Sequence, residues 1–173
     1  KGKISSVVLT GFEKLQDSLF VKSLLENMDT ITAEKKYLLL NMCPRLCDLP
    51  YGGEHSLQDF FIGKEKWKSC YQTLNTENIH YAQLSSELAM DDVKNVNFKK
   101  SLKLFAKSYD KVICLHNYNG VSFPEDSLFG ESNDLFVIVR IGSTCRLKLN
   151  SLGELIEKYS DKLRSSWTIN NTN

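Results

Sequence analysis

Four polar side chains in this sequence are placed where they could together bind an anionic substrate. Each follows or ends a short apolar run, and the four are Arg45, His116, Arg140 and Asn170. If those runs are parallel strands, their carboxyl ends meet at one edge of a sheet, which is where α/β proteins bind ligands. Arginine and histidine side chains pair well with carboxylate and phosphate groups. The sequence therefore allows an enzyme acting on an anionic substrate, provided that these side chains converge.

The segment between the first predicted strand and the first predicted helix is the natural place for a phosphate-binding loop. Such a loop needs glycines, free backbone N–H groups at a helix start and a lysine that neutralises charge. Residues 10–18 contain one glycine, Gly11. Glu13 and Asp17 would put negative charge beside a phosphate, and Lys14 lies in mid-loop. We predict an ordinary strand-to-helix turn here.

The remaining nucleophiles and metal-ligand types give no further site. Cys43 and Cys47 have a spacing found in some metal sites, but no second Cys/His pair follows at zinc-like spacing. Cys114 and His116 would be separated by roughly 7 Å along one strand face, and no Gly-x-Ser-x-Gly elbow exists. We assign no catalytic residue and no metal. The odd count of five cysteines fits reduced thiols and a cytosolic setting.

Apolar runs with strand spacing alternate with runs of helical spacing along the chain. The predicted strands are Ile4–Thr10, Tyr37–Leu40, Ile79–Gln83, Lys111–Leu115, Leu135–Val139 and Ser166–Ile169. The predicted helices are Asp17–Met28, Ser56–Phe61, Phe98–Ser108 and Leu147–Tyr159. This alternation predicts an α/β fold, a doubly wound and mainly parallel sheet with helices on both faces.

Smaller features refine this assignment. Ser56 is a plausible helix N-cap, and Gly63 would close the same helix. Residues 67–73 are either a strand or a turn of helix, and residues 91–97 are predicted as a polar connector. The helix Leu147–Tyr159 should turn four apolar side chains inward, namely Leu149, Leu152, Leu155 and Ile156.

Length and composition fit one domain spanning residues 1–173. With 22 basic and 21 acidic residues the net charge is +1, which does not suggest nucleic acid as a partner. No apolar run approaches the roughly 20 residues that a membrane span needs. Because the sequence starts at Lys1 without a methionine, we expect a piece of a longer protein.

Two surfaces are candidates for protein contacts. The helix Phe98–Ser108 carries lysines between its apolar positions, either as a solvated face or as a site for an acidic partner. The segment from Tyr118 to Phe129 is rich in aromatic residues, including Phe123 beside Pro124. Its aromatic side chains either form an exposed contact surface or fold down onto the sheet.

The order of several motifs carries a resemblance to a known family. Residues 109–117 (Tyr-Asp-Lys-Val-Ile-Cys-Leu-His-Asn) look like a Tyr-Asp-x-Val-Ile-Ile-Asp-x-Pro-Pro motif, and residues 55–63 look like Gly-Leu-x-x-x-Leu-x-Gly. Residues 134–144 look like a later strand that ends in Val-x-Arg. The chain resembles the cytoplasmic kinase domain of the bacterial tyrosine kinases of capsule and exopolysaccharide export, within the MinD/ParA-like deviant P-loop ATPases.

The sequence departs from that family at the positions that handle metal and phosphate. Where the family has Gly-Lys-Ser/Thr-Thr, this chain has Gln16, Asp17, Ser18 and Leu19. Where the family has Asp-x-Asp-x-Arg, it has Asn41, Cys43 and the retained Arg45. Leu115 replaces the acid that directs magnesium, while Asn170 stands where the family has an asparagine that can meet adenine.

Phosphoryl transfer needs a charge-neutralising lysine and carboxylates on magnesium. Their joint loss implies a catalytically inactive, kinase-like domain that does not bind ATP or magnesium and works by protein contact. The resemblance implies a P-loop NTPase-like three-layer sandwich, located in the cytoplasm at the inner bacterial membrane. Its expected partners are itself or a membrane protein of polysaccharide export. The alternatives are the crevice enzyme described above and a partner of a MinD/ParA-type ATPase.

Overall fold

A computed structural model describes residues 2–11, 35–43, 51–74, 77–85, 93–118, 125–141 and 146–170 of the chain. Its seven strands are β1 (Lys3–Thr10), β2 (Tyr37–Asn41), β3 (Gln72–Leu74), β4 (Ile79–Gln83), β5 (Lys111–Asn117), β6 (Asp134–Ile141) and β7 (Leu163–Asn170). Its α-helices are α1 (Leu57–Phe61), α2 (Asn95–Ser108), α3 (Glu125–Glu131) and α4 (Arg146–Lys158), with short 3-10 turns at Trp67–Ser69 and Ser160–Lys162.

The strands form one mainly parallel sheet. Their spatial order is β3-β4-β2-β5-β1-β6-β7, and of the strand pairs only β3 with β4 is antiparallel. The three central strands, β2, β5 and β1, are rich in leucine, valine and isoleucine and are buried on both sides, as parallel strands in an α/β protein are. The predicted α/β fold with a mainly parallel sheet is confirmed.

Alternation along the strands sends side chains into two separate apolar clusters. The first contains Val8, Leu40 and Cys114, and the four helices pack against it through residues such as Phe61, Phe105, Phe129 and Leu152. The second, on the opposite face, contains Leu9, Leu39, Tyr81 and Leu115. Both faces of the sheet are therefore buried, and we call these clusters the first and second core clusters.

Helix α1 begins and ends where the sequence predicts. The Asp59 carboxylate accepts hydrogen bonds from the backbone N–H of Ser56 at 2.9 Å and from its hydroxyl at 2.7 Å. The side-chain hydrogen bond from Ser56 is the main cause of a lowered pKa for Asp59. After the helix, Gly63 takes a φ of +77°, a left-handed conformation that favours glycine.

Several boundaries and one orientation differ from the sequence prediction. Helix α2 begins at Asn95, inside the segment predicted as a connector, and β5 continues two residues further, through Asn117. The undecided segment 67–73 contains both a 3-10 turn and the start of β3. Leu149 is 38% exposed, so its predicted inward orientation is wrong, whereas Leu152 is buried. The predicted helix Asp17–Met28 lies outside the described residues.

Candidate functional site

The carboxyl ends of β2, β5, β1 and β6 lie side by side because these strands are parallel neighbours. Here β1 ends at Thr10, and Gly11 follows with a φ of +77°. That left-handed conformation turns the chain out of the sheet at little steric cost only for glycine. Asn41 ends β2 at the same edge. This edge is the expected ligand crevice of the fold.

Asn41, at the first acidic position of the family pattern, is fully buried and bonded within the protein. Its side-chain NH₂ donates to the Tyr81 hydroxyl at 2.9 Å, and its side-chain oxygen accepts from the Cys43 N–H at 3.1 Å. The Tyr81 hydroxyl in turn donates to the side-chain oxygen Oε1 of Gln83 at 2.7 Å. We call Asn41, Tyr81 and Gln83 the Asn41 network. Its side chains join β2 to β4 below the crevice.

Cys43 and Leu115 also belong to the interior. Cys43 is fully buried, and its thiol lies 3.8 Å from the Leu115 carbonyl oxygen, to which it donates. Leu115 is a register partner of Asn41, and its side chain lies in the second core cluster. These three positions, which are acidic in the family, thus contribute an amide, a thiol and an apolar side chain to the core.

The described residues at this edge do not fit a magnesium-bound nucleotide. Magnesium takes oxygen ligands in octahedral geometry and is bound through carboxylates together with substrate phosphates. Asn41 already uses its oxygen for Cys43, and Leu115 offers no ligand. Among the residues that the structure describes, no group of three or more His, Cys, Asp or Glu side chains could hold a metal.

His116 and Arg140 extend from opposite faces of the sheet. His116 is the register partner of Val8, which is the partner of Val137, and both valines lie in the first core cluster. Arg140 is three residues beyond Val137, so alternation places it on the face of the second core cluster. His116 is also buried, at 6% exposure. The structure does not bring these two candidates together on one face.

Most of the other candidates lie outside the described residues. Gln16, Asp17, Ser18 and Arg45 lie outside the described residues, as does Cys47. The backbone of Asn170 pairs with Ile141 at the end of β7, but its side chain is outside the description. Convergence of Arg45, His116, Arg140 and Asn170 on one anion therefore stays a prediction, with His116 and Arg140 on opposite faces of the sheet.

The aromatic segment does not form an exposed surface at its two ends. Tyr118 is 2% exposed, and its hydroxyl donates to the Ser151 hydroxyl at 2.8 Å. Phe129 is fully buried in α3 and meets the Tyr159 ring edge-on at 6.0 Å between centroids. The hypothesis of an exposed aromatic contact surface is wrong for these two residues, because both fill the first core cluster. Phe123 lies outside the described residues.

Sequence reasoning also missed a second buried polar cluster, on β4 and at the end of α2. The Tyr109 oxygen accepts from the Trp67 indole N–H at 2.9 Å and lies 2.6 Å from the His80 Nδ1. Tyr71 stacks on the His80 ring at 4.0 Å. Burial raises the pKa of Tyr109 to about 12 and lowers the pKa of His80. The only sequence signal was the polar His80 within an otherwise buried strand.

Several solved structures share this arrangement of strands and helices. The chimerical protein CapA2B2 has a TM-score of 0.71 at 14% identity, over 99% of this chain and 77% of that one. The kinase domain of the Escherichia coli tyrosine kinase ETK has a TM-score of 0.68 at 12% identity, over 98% and 69%. MinD in the MinC:MinD cell division complex of Aquifex aeolicus gives 0.65 at 14%, over 98% and 68%.

At these identities the similarity establishes the fold, which is the P-loop NTPase-like α/β fold of tyrosine kinase domains and MinD/ParA ATPases. No protein-family model matches the sequence, and no curated protein matches it. The predicted fold relationship is confirmed by structure alone. Within the described part of the chain, no helix is both long enough and apolar enough to cross a membrane.

Proposed function

We propose that this domain keeps a kinase-like scaffold without phosphoryl transfer and acts as an interaction module in capsule or exopolysaccharide export. The observation that carries the proposal is the internal use of Asn41, Cys43 and Leu115, whose side chains are buried at the positions where the resemblance calls for carboxylates. Without carboxylates on magnesium and a lysine on the phosphates, the charge that develops in phosphoryl transfer has nothing to stabilise it.

Nucleotide binding should be lost together with turnover. The interactions of a lysine and of magnesium with the phosphates are worth several kcal/mol, and every ~1.4 kcal/mol is tenfold in affinity. Millimolar ATP with magnesium should therefore give no thermal shift of the purified domain and no phosphate release. Magnesium-dependent turnover that His116→Ala or Arg140→Ala abolishes would refute the proposal and favour the enzyme alternative.

Assembly of such a domain should not depend on nucleotide, because it has no γ-phosphate to sense. The likeness to MinD in a complex with MinC supports a scaffold that works through protein partners. Stable interfaces bury about 1,600 Å² in total, so a domain with a smaller contact face is monomeric when dilute. Attachment of the whole protein to the inner membrane would raise its local concentration and make weak contacts sufficient.

The test in cells uses the full-length protein. Crosslinking should recover the same partners, including the protein itself or a membrane protein of polysaccharide export, whether or not ATP is depleted. Loss of all crosslinks on ATP depletion would contradict a nucleotide-independent module. Polysaccharide length or yield is the second readout, since a domain with no role in export would leave both unchanged when deleted.

A further inference from the structure

A shallow groove with a mixed polar and apolar lining lies between α1 and α2. Its volume is about 300 Å³, and its lining includes Phe60, Phe61, Gly63, Ser101 and Leu104. Leu104 is 46% exposed at the rim. A single exposed leucine is ordinary on a protein surface, but one beside a concave apolar wall creates a place for another apolar side chain.

The walls of this groove are fixed by aromatic packing. The Phe60 ring lies 5.5 Å from Phe105 and 5.3 Å from Trp67, and the Phe61 ring lies 5.2 Å edge-on from Phe98. Because these rings pack against other aromatic side chains, they need little further ordering when a ligand binds, which keeps the entropic cost of binding low.

The Ser101 hydroxyl in the groove lining already has a hydrogen-bond partner within α2. The Ser101 hydroxyl donates to the Asn97 carbonyl oxygen at 2.9 Å. A methyl group that binds beside Ser101 therefore leaves this hydroxyl with its hydrogen bond. At the mouth, an added Cβ on Gly63 would meet no atom within 4 Å. The chain turns away there and leaves the groove open.

The lysines of α2 divide into two sets. Residues 93–109 contain five lysines and no Asp or Glu. Lys103 lies 3.5 Å from the Glu131 carboxylate, and the charge of Lys99 helps to lower the pKa of Asp126. Lys99 and Lys103 therefore face the acidic side chains of α3.

Lys100 and Lys107 lie on the outer side of α2 with Val96 and Leu104. The spacing of 96, 100, 104 and 107 places all four on one helix face. Val96 is 61% exposed, and Lys100 also lines the groove. Among the described residues, the ion pairs do not include Lys100 or Lys107. The groove is thus bordered by positive charge that α3 does not neutralise.

We propose that this groove binds an acidic, amphipathic helical segment of a partner protein. An apolar side chain of the segment enters beside Leu104, and its carboxylates lie against Lys100 and Lys107. Charge complementarity selects an acidic partner. The inference rests on the proposed function, for which it supplies the contact surface.

The test measures binding of the purified domain to a fluorescein-labelled helical peptide of about 16 residues, with leucines at i, i+4 spacing and glutamates between them. We expect saturable binding that Lys100→Glu/Lys107→Glu weakens at least about tenfold, with the same loss for Leu104→Asp. The matched control Lys35→Glu/Lys148→Glu makes the same change of net charge away from the groove and should weaken binding less than about twofold.

Several results would overturn the inference. They are no binding by the wild type, equal binding of a peptide with its leucines changed to alanine, equal weakening by the control variant, and tighter binding to phosphatidylglycerol vesicles than to the peptide. If the glutamate variant is unfolded by circular dichroism, Lys100→Gln/Lys107→Gln takes its place. ATP turnover is measured on the same preparation. If the domain turns over ATP and still binds the peptide, only the proposed function is refuted. If it neither turns over ATP nor binds the peptide, only this inference is refuted.

Discussion

Replacing Asn41 with aspartate tests whether the crevice position is structural. The change Asn41→Asp restores an acid of the family pattern and alters one atom. It also removes the NH₂ donor that now serves the Tyr81 hydroxyl at 2.9 Å in a fully buried site. A structural position should lose stability in an ionisation-dependent way, whereas a metal position should gain magnesium binding.

The magnitude follows from the protonation state of the new carboxyl. When protonated, its O–H donates to Tyr81 as the amide did, so the network survives. When it is ionised, the Tyr81 hydroxyl donates its hydrogen bond to the carboxylate and no longer to the Gln83 side chain. The loss of that bond costs about 1–3 kcal/mol, reduced by any hydrogen bond that water makes to the half-buried Gln83 side chain. This lost bond and burial together raise the carboxyl pKa, and a rise of about two units corresponds to about 2.7 kcal/mol in all. We expect a total loss of about 3 kcal/mol near neutral pH.

The sign of the pH dependence is fixed by that raised pKa. The folded state holds the proton more tightly than the unfolded state, whose pKa is about 3.9. The variant therefore approaches wild-type stability below about pH 4 and loses it as the pH rises toward the folded-state pKa.

The assay is urea unfolding of wild type and variant at about pH 4.5 and about pH 7.5, which lie near and well above the unfolded pKa. Asn150→Asp, the same chemical change on the exposed face of α4, is the matched control and should show a small deficit without this pH dependence. Wild-type stability of Asn41→Asp near neutral pH, together with new magnesium-dependent ATP binding, would refute the structural assignment.

Three further outcomes follow from the described contacts. Burial, and then the charge of Lys36, lowers the pKa of His80. Wild-type stability should therefore fall as the pH drops below the unfolded-state pKa of about 6.5. An equal dependence of unfolding free energy on pH in wild type and His80→Gln would contradict this. Burial raises the pKa of the Cys114 thiol to about 12, so iodoacetamide should label it only after unfolding, as mass spectrometry of the peptide would show. Leu102→Ala should lower the unfolding free energy by about 2–5 kcal/mol, because its side chain is buried. Leu104→Ala should lower it by less than about 0.5 kcal/mol, because its side chain is exposed. Similar losses for the two variants in chemical unfolding would show that α2 is oriented differently.

The strands were predictable because buried parallel strands leave a simple trace in sequence. Ile79–Gln83 has the predicted bounds, and Lys111–Leu115 is correct apart from a two-residue extension. Short runs of β-branched and aliphatic residues suffice when both faces of a strand are covered. The start of α2 was missed because Asn95-Val96-Asn97 has weak helix propensity, so the extra turn is not visible in sequence.

The site was predictable in position but not in its contacts. Motif order located Asn41, whereas its partner Tyr81 is forty residues away in sequence and reaches it only because β2 and β4 are register neighbours. Tyr118 and Phe129 were misplaced for a related reason. An aromatic residue has the same composition signal in an exposed loop and in a core, and only the packing of α3 and α4 distinguishes the two.

The internal bonding of the Asn41 network bears on whether this core could accommodate acidic side chains. A carboxylate at position 41 conflicts with the direction of the Tyr81 hydrogen bond, and a carboxylate at position 43 would replace a buried thiol directed at the Leu115 carbonyl. An acid at position 115 would enter the second core cluster among Leu39 and Ile138. Each change alone buries an uncompensated charge, which costs several kcal/mol, so no single acidic substitution at these positions is neutral for stability.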